Sequence, residues 1–347
     1  MIEVVRVAQA RIAARSARGE PPPDGRIPNS KDSFPKVLCL DQNKWIDLAK
    51  AHYAVEGGEP FVDALASIRS AIERGRIVVP IFPSNAAEVA EPKDVDRRKR
   101  TATFLVDLAG NRFFAYPDPV ANIEIGRAVR RLYLGQDVGA FPRADLVRWG
   151  LPVGDISGIW PVKYAHLADA LREPECSIAT LVHAQGREAI AEMRAMDRRA
   201  ADASRVARAG SAQEDRYDDE LRNLYRSGGS FSRRMRSEVE ALGIDGAEFD
   251  EWLERNRRAF AEAIPNLDVK SRLMLARDRN TQHPTHHNDL KDLVFLQASI
   301  PHGNIVVTEN SWAHLARTER MDKRYGTEIL SDLRTIPTLL KTAGCLD

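Results

Sequence analysis

Short apolar runs alternate with amphipathic segments in the first part of the chain. Three runs are too short for buried helices and are interpreted as strands: 37–40, 76–81 and 112–116. The segments between and after them repeat apolar residues at helical spacing: 43–49, 60–74, 94–109 and 120–134. Strands that alternate with helices form parallel βαβ units with right-handed crossovers. The pattern therefore predicts an α/β domain with a parallel sheet.

The pattern changes in the middle of the chain. Residues 135–265 lose the strand pattern and consist of long helical runs rich in Ala, Arg and Glu, which predicts an all-helical insertion. The predicted runs include 177–209, 231–242 and 247–263. Strand patterns return within 292–308 and at 327–330, and a last helix is predicted at 331–342. The predicted organisation is an N-terminal helix and linker at 1–35, a first α/β part at 36–134, the insertion at 135–265 and a second α/β part at 266–347.

Composition narrows the classes of protein to consider. The 347 residues suffice for two domains or for one domain with a large insertion. The chain has 51 Lys and Arg residues and 50 Asp and Glu residues, which gives a net charge of +1. So small a net charge does not draw the whole protein to nucleic acid, and a nucleic-acid-binding site would have to be a local basic patch. Three widely spaced cysteines fit a reducing compartment. No apolar run is long enough to span a bilayer, so we expect a cytoplasmic protein without membrane contact.

Acidic residues follow several predicted strands or open the helices beside them. These acids are Asp41, Glu88, Asp289, Asp292 and Glu309. The carboxyl ends of parallel strands meet at one edge of a sheet, where ligands of open α/β proteins bind, so we expect the acids to converge. Clustered carboxylates repel one another unless a positive charge offsets them. Their oxygens suit Mg²⁺ or Mn²⁺, and two-metal hydrolysis of phosphodiesters is the chemistry that such a cluster supports.

The motifs that carry these acids resemble those of the PIN-domain nucleases. The tip Leu40-Asp41-Gln42-Asn43 resembles the first motif of that family, and Glu88 in a helix start resembles its second acid. Asp292, which opens an apolar helix with small residues, resembles the third motif. Val307-Thr308-Glu309-Asn310 resembles the fourth, in which Thr or Ser precedes an acid. The resemblance covers roughly residues 36–134 and 266–345.

The resemblance implies a PIN-like three-layer α/β/α sandwich and metal-dependent ribonuclease activity with Mg²⁺ or Mn²⁺. Asp41, Glu88, Asp292 and Glu309 are then the catalytic metal ligands, and Asp289 is an assisting acid. Asn43 and Thr308 are expected to orient the two strand tips by hydrogen bonding. The fourth motif departs from the family, because Asn310 stands where an acid is common and Glu309 precedes it. Either of these two residues could meet the metal.

Each acid also has a structural interpretation. Asp41 could cap the following helix, and Glu88 could complete a capping box that starts at Asn85. Asp289 is an acid at a helix N-terminus, which the helix dipole favours. Glu309 could simply face solvent. The family context favours the metal-ligand interpretation for Asp41, Glu88 and Asp292.

Basic residues supply candidate substrate contacts. Arg97 and Arg98 follow Glu88 closely, while Arg233 and Arg234 lie in an arginine-rich stretch with interleaved aromatics, a composition typical of single-stranded RNA contacts but also of a solvated helix face. His287 closes a histidine cluster before the acidic helix and is a candidate phosphate contact. The cluster lacks the ligand set of a zinc site.

These observations predict an endoribonuclease that uses a metal-activated water. The expected partner is RNA, as a single strand or a structured loop, and the helical insertion could bind a protein inhibitor or partner or support a homodimer. Toxin, defence effector and RNA processing remain open as roles. The alternatives are a structure-specific DNA nuclease and a non-catalytic PIN-like binding module.

Overall fold

The computed structural model describes residues 2–20, 34–115, 117–139, 141, 146–150, 170, 172–183, 195, 221–222, 225, 230–279 and 289–346. Its six strands are β1 (Lys36–Leu40), β2 (Ile77–Val78), β3 (Arg112–Phe114), β4 (Val147–Trp149), β5 (Ile305–Val307) and β6 (Glu328–Leu330). Four of them form a central sheet in the order β2-β1-β5-β6, and every neighbouring pair is parallel. The predicted mixed α/β class with a parallel sheet is confirmed.

Helices occupy most of the remaining described chain. They are α1 (Ile2–Arg18), α2 (Gln42–His52), α3 (Val62–Glu73), α4 (Pro83–Val89), α5 (Val95–Ala109), α6 (Pro117–Ala128), α7 (Pro174–His183), α8 (Ser230–Ala241), α9 (Gly246–Glu262), α10 (Pro265–Arg279), α11 (Asp289–His302), α12 (Asn310–Thr318), α13 (Met321–Tyr325) and α14 (Ile336–Thr342). A π-helical turn, Val129–Tyr133, extends α6. Among the described helices, none combines the length and apolar character needed to cross a membrane.

Helices cover both faces of the central sheet. Alternate side chains of β1 enter two separate cores: Leu38 and Leu40 pack in the core that includes α2, α3 and α5, whereas Val37 and Cys39 pack in the core that includes α11 and α12. This arrangement explains why β1 reads as a continuous apolar run, since a parallel strand is buried on both sides.

The expectation of an all-helical insertion is wrong at one place. Strand β4, inside 135–265, pairs antiparallel with β3. The predicted third strand therefore does not join the parallel ladder. Among the described residues, β3 is linked toward the central sheet by a parallel bridge between Phe113 and Ile81, which lies three residues after β2. Strand β4 has only three residues, too few to show the alternation of apolar and polar residues that marks a strand in a sequence. Its pairing with β3 covers an edge of β3 that would otherwise be open.

The described helical part of the insertion shares a core with the end of the first α/β part. Residues of α6, the π-helical turn, α8 and α9 bury one another around Phe249 and Phe260. This agrees with the helical character predicted for 231–263. The predicted long helix at 177–209 begins within α7, and most of it lies outside the described residues.

Gly303 allows the C-terminus of α11 to approach β1 closely. A Cβ atom at this position would lie 2.6 Å from the Ser299 carbonyl oxygen and 2.7 Å from Cys39 Sγ.

We predict that Gly303→Ala lowers the free energy of unfolding by about 1–3 kcal/mol, the usual cost of overpacking, as measured by denaturant titration. Gly246→Ala is the matched control, because its Cβ meets open space at the start of α9. Equal stability of the two variants would contradict this packing argument.

Candidate metal centre

Asp41 and Thr308 lie side by side at the carboxyl edge of the sheet. Strands β1 and β5 pair with Leu40 opposite Val307, so the next residue of each strand leaves the sheet at the same point. The Thr308 hydroxyl donates to Asp41 Oδ2 at 3.2 Å, and the Gln42 backbone N–H donates to Oδ1 at 2.6 Å. Asp41 thus caps α2 and also faces the neighbouring strand tip, with only 4% of its surface exposed. Burial raises its pKa, and the charge of Glu309 adds to that rise.

Glu88 lies on the second turn of α4, after the helix has begun at Pro83. The capping interaction of this helix is made by Asn85, whose side chain accepts from the Phe82 N–H at 3.1 Å. The capping-box interpretation of Glu88 is therefore wrong, because the helix begins earlier than the spacing suggested. Burial raises the pKa of Glu88 to about 7, and the charge of Asp41 contributes further, whereas Lys291 opposes the rise.

Asp292 stands in the first turn of α11 and is held by a tryptophan. The indole Nε1–H of Trp312 donates to Asp292 Oδ2 at 2.9 Å. Burial raises the pKa of Asp292 to about 8, and the negative charges of Asp41, Glu309 and Glu88 act in the same direction, whereas the Trp312 hydrogen bond lowers it. The repulsion shows that Asp292 shares one electrostatic environment with the other three acids.

Glu309 and Asn43 connect the two strand tips. The Asn43 side-chain amide donates to Glu309 Oε1 at 2.6 Å, as expected of a residue that orients a tip. Glu309 precedes α12 and raises the pKa of Asp41, Glu88 and Asp292. Asn310 is the exposed first residue of α12. Between these two neighbours, the structure therefore associates Glu309 with the acidic group.

The four acids suit a divalent cation by chemistry. They present hard carboxylate oxygens, which Mg²⁺ and Mn²⁺ prefer, and a cation would relieve the repulsion that contributes to the raised pKa values of Asp41, Glu88 and Asp292. Over the residues that the structure describes, no group of three or more His, Cys, Asp or Glu side chains has the geometry of a preformed metal-binding site.

Asp289 has a different environment from Asp292. Its Oδ2 atom lies 3.4 Å from Arg277 Nη1, and Arg277 also contacts Asp278 at 3.0 Å, with all three residues buried. These contacts fasten α11 to α10. The predicted assisting role of Asp289 at the metal remains a prediction, and its observed contact is an ion pair.

The candidate substrate residues lie in different surroundings. Arg97 lines a cleft of about 550 Å³ that also includes Glu88, whereas Arg98 donates to the Pro92 carbonyl oxygen at 2.6 Å. Arg233 and Arg234 belong to α8, which packs against α6 and α9. His287 lies outside the described residues.

Sequence reasoning missed two residues at the acidic group. Trp312 lies three residues after Glu309, a spacing that directs its side chain back toward the strand tip, so the position of the indole N–H was available as a signal. Lys291 forms an ion pair with Glu91 and lowers the pKa of Glu88. In the sequence, Lys291 stands between Asp289 and Asp292 at the polar start of a helix, where a lysine gives no particular indication of a role at the site.

Comparisons with protein-family models, with curated proteins and with solved structures return no match to this chain.

The raised pKa values predict how the stability of the metal-free protein varies with pH. Between the ordinary carboxyl pKa near 4 and the folded value near 8, the folded protein binds more protons than the unfolded chain, so stability falls as the pH rises through this window. We predict that Asp292→Asn, in EDTA, raises the melting temperature at pH 8.5 by at least about 2–4 °C and flattens its dependence on pH.

Asp250→Asn is the control for this prediction, because Asp250 is exposed on α9 and its loss should leave the pH dependence unchanged. Thermal melts between pH 5 and 8.5 measure both variants. A pH dependence in Asp292→Asn as steep as in the wild type would show that this carboxyl is not buried among other acids.

Proposed function

We propose that this chain is a PIN-like, metal-dependent endoribonuclease whose Mg²⁺ or Mn²⁺ is held by Asp41, Glu88, Asp292 and Glu309. The observation that carries the proposal is the kind of partner these acids have. The hydrogen bonds of Asp41, Asp292 and Glu309 come from neutral donors, namely Gln42, Thr308, Trp312 and Asn43. Among the described residues, no salt bridge within 4 Å involves any of the four acids.

Of the four proposed ligands only Asp41 is fully buried, and four buried acids elsewhere in the described chain are arranged differently. Glu173 contacts Arg11 and Arg15 at 2.6 Å, and Asp268 contacts Arg272 and Arg324 at 2.8 and 2.7 Å. Asp278 and Asp289 share Arg277. A buried charge is costly unless it is paired, and these four buried acids follow that rule. The exception at the sheet edge supports an external cation as the missing partner.

The parallel sheet with helices on both faces is consistent with the PIN-like sandwich that the motifs imply. A bound divalent cation would lower the pKa of a water and stabilise the charge that develops on the phosphate. The protein's own residues position that chemistry. Thr308 and Asn43 fix the carboxylates at the two strand tips, and Trp312 holds one oxygen of Asp292. No side chain needs to act as the nucleophile.

We predict that the purified protein cleaves RNA in the presence of Mn²⁺ and that Asp41→Asn lowers the rate by about 10²-fold or more, since even residues outside the ligand shell of metal sites cost 10–100-fold. Total RNA and labelled oligonucleotides followed by end mapping measure cleavage. Asparagine also caps helices well, so α2 should be retained. Asp245→Asn is the matched control, because Asp245 is an exposed residue outside the acidic group that caps α9 through the Ala247 and Glu248 N–H groups.

The outcomes separate the alternatives. Loss of cleavage in Asp41→Asn but not in Asp245→Asn supports the proposal. Metal-dependent cleavage of DNA and not of RNA identifies the DNA nuclease. Equal cleavage by both variants excludes the carboxylate site. No cleavage of either substrate, with metal binding that does not depend on Asp41, supports a non-catalytic binding module.

A further inference from the structure

A cleft runs from the acidic group along the surface between α2 and α5. It has a volume of about 550 Å³, within the range of ligand-binding clefts. Gln42, which directly follows Asp41, and Glu88 lie at one end of it. From there the α2 side is lined at helical spacing by Ile46, Lys50 and Tyr53. Whatever occupies this cleft lies next to the carboxylates.

Three basic side chains line the cleft. They are Lys50 on α2 and Arg97 and Arg100 on α5. Within the described residues none of the three forms a salt bridge, and Arg97 and Arg100 are exposed. The acid Glu91, which also lines the cleft, is ion-paired with Lys291. The cleft therefore offers unpaired positive charge on both sides, which suits an anionic chain.

The cleft also exposes an aromatic ring and an apolar side chain. Tyr53 is 38% exposed and Val55 is 51% exposed, and they are two of the five large hydrophobic residues of the described chain that face solvent. The ring of Tyr53 is held in place by a hydrogen bond from its hydroxyl to the Arg100 carbonyl oxygen at 3.1 Å and by contact with His52, whose ring centroid lies 4.6 Å away. A fixed, exposed ring beside cations is the combination that binds unstacked bases.

We infer that this cleft binds a single-stranded polynucleotide on one side of the cleaved bond, with Lys50, Arg97 and Arg100 on its phosphates and Tyr53 against a base. The inference rests on the proposed function, since the cleft places the strand beside Asp41 and Glu88. A duplex keeps its bases stacked inside the helix and cannot offer one to Tyr53. The substrate class is therefore a single strand or the unpaired part of a folded one.

Binding is tested without cleavage by fluorescence anisotropy of a labelled single-stranded 12-mer RNA on the full chain in EDTA. We expect Arg100→Ala to weaken binding by about tenfold and Arg97→Ala/Arg100→Ala to lower the slope of log affinity against log salt by roughly 1.4, at about 0.7 for each single-strand phosphate. Lys99→Ala is the matched control. Lys99 is an exposed cation on the same helix that does not line the cleft, and its loss should leave the slope unchanged.

Tyr53 is tested with a pair of variants. Tyr53→Ala removes the ring and should weaken binding of the single strand by about tenfold or more. Tyr53→Phe loses the hydroxyl's hydrogen bond to Arg100 but keeps the ring and its contact with His52, so it should bind clearly more tightly than Tyr53→Ala. Parallel titrations with a single-stranded DNA 12-mer of the same sequence and with a 12-base-pair RNA duplex show which polymer binds and whether it has to be single-stranded.

A kinetic test uses the basic residues of the cleft. In the presence of Mn²⁺, Arg97→Ala/Arg100→Ala should raise KM and leave kcat within about threefold, which a merely structural role would not produce.

The results distinguish this inference from the proposed function. If the wild type cleaves RNA but the cleft variants bind like Lys99→Ala, the cleft is not the strand-binding surface, and the nuclease stands. If the wild type binds the single strand through Arg97, Arg100 and Tyr53 but no polymer is cleaved, the nuclease fails and the cleft stands. Preference for the duplex over the single strand would overturn the inference, and circular dichroism of every variant confirms folding.

Discussion

The parallel pairing of β1 with β5 is the constraint on which the site depends. These strands are separated by more than 260 residues in sequence, yet Leu40 lies opposite Val307. A slip of this pairing by one residue would turn each side chain to the other face and would mix the two cores that Leu38 and Cys39 now keep separate. Correct burial of β1 therefore also fixes Asp41 beside Thr308.

Electrostatics explains why so much neutral hydrogen bonding surrounds the acids. Burial and mutual repulsion both raise the pKa values of Glu88 and Asp292, so both disfavour the charged state that a metal ligand requires. Donors such as the Trp312 indole and the Gln42 amide favour the charged state without supplying a counterion. An arginine would neutralise the group permanently, as Arg277 does for Asp289. Under the proposed function, neutral donors would leave room for a cation, and its binding would depend on pH because protons would leave as it enters.

Much of this arrangement could be predicted from local patterns. The strands and the helices after them are visible as apolar runs and helical spacing, and the strand-end acids follow from the rule for parallel sheets. Features that depend on distant partners could not be predicted. Strand β4 is visible only through its pairing with β3, and the cleft arises from the packing of α2 against α5, so Lys50 and Tyr53 carried no signal in the sequence. The start of α4 at Pro83 also escaped, because Asn85 looked like a cap and is in fact the third residue of the helix.

Asp289 and Asp292 lie one helical turn apart on α11 but have different partners. Their spacing places both on one side of α11, and the sequence offered no reason to separate them. Arg277 on α10 separates them, since it takes Asp289 into a buried ion pair while Asp292 receives a neutral hydrogen bond from α12. Breaking a buried pair costs about 3–5 kcal/mol, so Asp289 holds the start of α11 firmly against α10. The carboxylate of Asp292, one turn later, therefore lies on a helix whose first turn is anchored to α10 by this ion pair.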